Sequence, residues 1–320
     1  MSRRLLRPEI HPKPWPALAA LAAGLSFVAG GRAALCRIMP TPPTSVRATP
    51  AATDEESVRD ARTLAVELMA LSAFCGKMEG QGMRSPAASA AFLREWQWNE
   101  DRGRLPSHPH FGGTGRRRES APDLLSTALM LQAMRASGVA ASDPYIWRAS
   151  VFIARCQVTG DPRAGDDGDR GGFLAGPVVD AAGGASRVRL GHPTGAATCL
   201  GLTSLLAAGA APDDPRVRDA VRWLEGHYAL DSHPGMVRPR EGLYGYYYEF
   251  ARAMTALGRD RIRDSRGVVH NWRAELGRTL AGEQKPDGSW TNPDESREPA
   301  SSSASTITSL ALLTLRQIRP

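Results

Sequence analysis

One pattern limits the fold of this chain more than any other. A residue that is aromatic in three copies of four is followed by an aliphatic one, three further residues and then a glutamine. Phe92–Leu93 lead to Gln97, Phe152–Ile153 to Gln157 and Thr279–Leu280 to Gln284, while Trp223–Leu224 lead to Tyr228 in the glutamine's place. The copies lie 60, 71 and 56 residues apart. Self-similarity on this scale marks a repeat architecture, and the irregular intervals mark insertions between units. A glycine–aromatic turn follows three of the copies, at Phe111–Gly113, Gly171–Phe173 and Asp287–Trp290.

Segments of a second kind lie between the copies, at 121–134, 193–206, 242–257 and 303–315, apolar on nearly all sides and rich in small residues. A helix that is apolar all round is a buried helix. The first kind is amphipathic: Val217, Ala220, Val221 and Leu224 share one face and charged residues the other. The unit is therefore an outer amphipathic helix, a turn and an inner buried helix. Such hairpins bury their apolar faces only by stacking, and closing the stack into a ring covers its last edge. The expected fold is all-α, an (α/α) toroid over residues 57–320. Residues 57–73 supply a further helix, and the ring is either incomplete at the N-terminus or carries one unrecognised hairpin. Asp143 before Pro144 and Asp214 before Pro215 place an N-cap ahead of a first-turn proline. Gln284 is expected to bond the start of the next helix, and Trp290 to cover the junction between neighbouring hairpins.

Aromatic–aliphatic–x3–Gln followed by Asp-Gly-Ser-Trp, complete only in Gln284–Trp290, resembles the QW repeat of squalene cyclases and the related repeat of protein prenyltransferase β subunits. The resemblance spans roughly residues 87–317. The stretch from Asp213 to Gly258 is also similar to bacterial, planctomycete-type proteins described only as prenyltransferase/squalene-oxidase repeat proteins. The implied fold is the α/α toroid, and the implied chemistry is of two kinds. Cyclases protonate an alkene from a Pro-Asp-x-Asp-Asp-Thr-Ala segment. The matching stretch here is Pro122–Ala128, where Asp123 fits the first aspartate but Leu125 replaces the proton donor. Prenyltransferases hold zinc with Asp, Cys and His. Cys199 lies on an inner helix, but Ala197 stands where the aspartate belongs, so no metal or cofactor is called for.

The aromatic run Tyr244, Tyr246, Tyr247, Tyr248 and Phe250 is the remaining suggestive feature. A face lining a central cavity would stabilise a cation or stack on a ligand; the alternative is packing with hydroxyls bonded across the ring. Thr127, Thr198, Tyr244, Tyr247, Tyr248 and Thr306 are the candidate cavity-lining residues, and Asp123 and Glu249 the candidate catalytic carboxylates. The acidic Asp166, Asp167 and Asp169 sit in a glycine-rich turn, and Asp123 at a helix start is also explained as a cap.

Residues 1–36 combine a basic start with an apolar, small-residue run and read as an export signal or membrane anchor, which places the protein outside the cytoplasm. Residues 37–56, rich in Pro, Thr and Ala, read as a flexible linker. Without the leader the net charge falls from +7 to +3, and no basic block interleaved with aromatics argues for nucleic acid. Cys75, Cys156 and Cys199 are too widely and irregularly spaced for a disulfide framework. The leading expectation is an exported toroid that binds an apolar, peptide or glycan ligand in its centre. The alternative is an isoprenoid cyclase or prenyl-transfer enzyme with a changed acid.

Overall fold

The computed structural model describes residues 91, 93–159, 168–177, 179–180, 187–188, 191–292 and 304–319. The leader, the linker, the helix expected at 57–73, Cys36, Cys75, Asp166 and Asp167 lie outside the described residues. Among the described residues there are seven α-helices: α1 (Leu124–Ala136), α2 (Pro144–Arg155), α3 (Gly195–Ala207), α4 (Pro215–Gly226), α5 (Leu243–Ala256), α6 (Trp272–Glu283) and α7 (Ala304–Ile318). Two antiparallel ribbons, β1 (Val179–Asp180) with β2 (Arg187–Val188) and β3 (Ile262–Arg263) with β4 (Val269–His270), are insertions in an otherwise helical chain. None of the described helices is long and apolar enough to cross a membrane.

The helices start where the polar residues can cap them. Asp143 and Asp214 accept from the backbone N–H of Tyr145 and Arg216, each at 2.9 Å, with proline in the next position. Asp123, Thr194 and Asn271 cap α1, α3 and α6 in the same manner. Buried residues run around most of α1, α3 and α5. On α4 they are confined to the face of Val217, Ala220, Val221, Trp223 and Leu224. Packing follows this division. Helices α1, α3, α5 and α7 lie side by side in that order as an inner row. Outside it, α2 rests on α1 and α3, α4 on α3, and α6 on α7.

The repeated glutamine is the stitch between units. Gln97 Nε2 donates to Gly112 O at 3.1 Å and to Tyr145 O at 2.9 Å. Gln157 Nε2 donates to Gly171 O at 3.0 Å and to Arg216 O at 2.8 Å. Tyr145 and Arg216 are the second residues of successive outer helices, so each amide ties its own turn to the next unit. The turn glycines make room for that approach. At Gly112 and Gly171 a Cβ would fall 1.8 Å from Arg148 O and 2.1 Å from Asp219 O, the fifth residues of α2 and α4. Both also have positive φ, of 84° and 89°, which glycine alone adopts freely.

The last copy keeps only half the device. Gln284 is exposed, and its described bond is to Gly288 O at 3.1 Å, within its own turn. Trp290 is 2% exposed; its indole N–H donates to Leu280 O of α6 and its backbone N–H to Thr308 Oγ1 of α7. These bonds join the two helices of one hairpin, not two neighbouring hairpins as expected. The indole has a donor to place, and the nearest chain end with a spare carbonyl is the last turn of its own outer helix.

Candidate functional site

The third copy departs from the pattern, and there the seam opens. Tyr228 occupies the glutamine's place, and its hydroxyl donates to Glu275 Oε2 at 3.0 Å instead of to backbone. Beside it lies a cavity of about 540 Å³ between the chain leaving α4, the β3–β4 ribbon and α6. Its wall includes Asp231, Arg240, Asp264, Arg266, His270, Glu275, Arg278, Thr279 and Glu283. Local structure sets this wall. The ribbon pairs Ile262 with His270, and the buried Ile262 anchors it. Asp264 closes the turn by accepting from Arg266 N and Val268 N at 2.9 and 2.8 Å. Buried Trp272 donates from Nε1 to Arg259 O at 2.7 Å, which fixes the start of α6 and puts Glu275 one turn in.

The charges are arranged in chains. His270 Nδ1 lies 2.9 Å from Glu275 Oε2 and its Nε2 3.3 Å from Asp264 Oδ2. Both carboxylates accept, so a ring nitrogen that carries hydrogen donates to the carboxylate beside it. The ring also lies 4.7 Å from that of Tyr228. On the other side Arg240 donates to Glu283 Oε1 at 2.7 Å, and Tyr244 OH to Glu283 Oε2 at 2.8 Å. Burial alone would raise the Asp264 carboxyl. Hydrogen bonds from Val268 N, His270 and Arg266 outweigh it and hold its pKa at about 2. Burial, then the Glu275 carboxylate, pushes the Tyr228 hydroxyl well up, so it remains a donor. Such a wall recognises polar and charged groups, not hydrocarbon.

None of the candidate cavity-lining or catalytic residues named from the sequence lines this cavity, and neither does any described residue of the inner helices. Asp123 is a cap: Oδ1 accepts from Ser126 N and Oδ2 from Ser126 Oγ, both at 2.8 Å. Leu125, in the proton donor's place, is 39% exposed. Thr127 and Thr198 are fully buried, and their hydroxyls accept from Thr114 N and Phe173 N at 2.9 and 3.0 Å, the residues just after each glycine turn. Thr308 does the same for Trp290, two residues beyond the expected Thr306, which is partly exposed on α7. These threonines fasten each turn to the inner helix of its own hairpin.

The tyrosines divide. Tyr244 and Tyr247 stand behind the cavity wall, bonded to Glu283 and to Leu230 O. Tyr246 stacks on His233 at 5.2 Å. Tyr248 faces a cation, but the protein's own: Arg252 Cζ lies 5.4 Å from its ring centre. Arg252, 5% exposed, pairs with Glu249 at 3.0 Å and donates to Gln132 Oε1 on α1 at 2.7 Å. Glu249 is therefore engaged in an ion pair among the inner helices. Cys199 is buried, and burial pushes its thiol far up, as expected for a packed residue.

Asp264, His270, Glu275 and their neighbours escaped sequence reading because they come from three separate stretches. The one available signal was Tyr228 itself, a phenol where two other copies carry a stitching amide. Among the described residues no group of three or more His, Cys, Asp or Glu side chains is placed to hold a metal ion. Neither protein-family models nor curated protein sequences match this chain.

Proposed function

We propose that the chain is an exported (α/α) toroid of the squalene-cyclase and prenyltransferase-β type that binds a polar ligand, a peptide or a glycan, in the cavity beside Tyr228. The matched stitches at Gln97 and Gln157, and the inner row spanned by the Arg252–Gln132 bond, support the ring. The observation that carries the binding reading is the opened third seam, where charged residues line an open cleft of about 540 Å³. That volume falls within the ~300–1,000 Å³ typical of small-molecule sites. The site moves from the ring's centre, where the inner helices are joined by their own polar groups, to the seam between outer helices. Against the isoprenoid-enzyme alternative stands that Asp123 serves as a cap and Glu249 sits in an ion pair.

Native mass spectrometry of the full chain purified from its host tests this reading. The wild type should retain a small polar ligand. The variant Thr279→Trp, which fills the cavity from the half-exposed face of α6, should emerge empty with an unchanged far-ultraviolet spectrum. Equal retention by both chains would place the ligand elsewhere, and a retained polyprenoid would revive the enzyme.

A further inference from the structure

Most charged side chains of the cavity wall have a partner within it. Arg266 pairs with Asp264 at 3.1 Å, Arg240 with Glu283 at 2.7 Å, and Glu275 takes His270 and Tyr228. Two charges remain over. Arg278 donates from Nε to Ala274 O of its own helix, and among the described residues its guanidinium meets no carboxylate. Asp231 accepts from the neighbouring Ser232 hydroxyl at 3.1 Å and, among the described residues, meets no cation. One lies on α6 and the other on the chain leaving α4, and both line the same space.

Resting on the binding reading above, we infer that the cavity's ligand is a zwitterion, a free α-amino acid or a short peptide with free ends. Asp231 takes the ammonium, and Arg278 takes the carboxylate. A guanidinium presents paired N–H donors that match a carboxylate's two oxygens. A neutral sugar would leave both charges without a counterpart. A purely anionic ligand would meet Asp231 as a like charge, and a purely cationic one would meet Arg278.

Titration calorimetry of the full chain with L-alanyl-L-alanine, its N-acetyl form, its C-terminal amide and maltose tests the assignment. The free dipeptide should bind at least about tenfold more tightly than either blocked form, the loss expected when one charge-assisted bond of about 1.4 kcal/mol is removed. Asp231→Asn should weaken the free dipeptide about tenfold and leave the N-acetyl form unchanged. Arg278→Gln should do the converse with the amide. Both positions are exposed, so neither change threatens the fold. Equal binding of free and blocked dipeptides, or binding of maltose alone, overturns the zwitterion. So does failure of every probe. Where the host-derived ligand is still displaced by Thr279→Trp, those failures leave the cavity reading standing; where it is not, both fall.

Discussion

Replacing Gln157 with leucine tests whether the amide stitches hold the units together. Gln157 is 4% exposed and spends one nitrogen on two carbonyls, Gly171 O at 3.0 Å and Arg216 O at 2.8 Å. Leucine has similar bulk, so packing is roughly kept while both carbonyls lose a donor in a place closed to water. A buried polar group left without a partner costs about 1–3 kcal/mol. Because each carbonyl has a second lone pair and some freedom to relax, about 2–4 kcal/mol in total is expected. For a chain of this size that lowers the melting temperature by roughly 5–15 °C. Gln284→Leu is the internal control. That residue is exposed and makes its described bond inside its own turn, so its loss should stay within about 0.5 kcal/mol. Urea and thermal unfolding of both variants give the comparison. Equal losses, or an unchanged Gln157→Leu, would show that the stitches record the fold without supporting it.

The turn glycines should separate in the same way. Gly171→Ala puts a Cβ about where Asp219 O stands, at 2.1 Å, and should cost more than about 3 kcal/mol, whereas Gly288→Ala meets only Gln284 Nε2 at 3.9 Å and should show only the ~1–2 kcal/mol strain of its positive φ. Asp264 supplies a pH signature. Its folded pKa of about 2 lies below the ordinary value of about 3.9, so its ionised form stabilises the protein above about pH 4, and that contribution disappears as pH falls through about 2. The gap in urea midpoint between wild type and Asp264→Asn should therefore shrink over that window, and a gap independent of pH would refute it. Burial raises the thiols of Cys156 and Cys199. In a chain with Cys36 and Cys75 changed to serine, Ellman's reagent should modify neither until denaturant is added.

The repeat was legible because its parts are short-range. The two-helix alternation shows in the face of Val217 and Leu224 against the all-apolar α3, and the caps at Asp143 and Asp214 sit beside prolines that fix the register. The bond to the start of the next helix was expected of Gln284, whose described bond stays inside its own turn, whereas Gln97 and Gln157 make that bond from buried corners. The cavity was not legible, because its wall joins Asp231, Asp264 and Arg278 across stretches with no common period. The inner tyrosines misled for a related reason. Periodicity assigns residues to a face of a helix, but it does not say whether that face meets empty space or another helix's Glu283 or Arg252.

Since each stitching amide grips main-chain oxygen, the joint is indifferent to which side chains its neighbour carries. Outer helices can thus exchange almost every surface residue, and the intervals between units can stretch or shrink, without renegotiating the joinery. Only where the grip is given up, as at Tyr228, does the chain acquire a seam whose side chains are free to specialise.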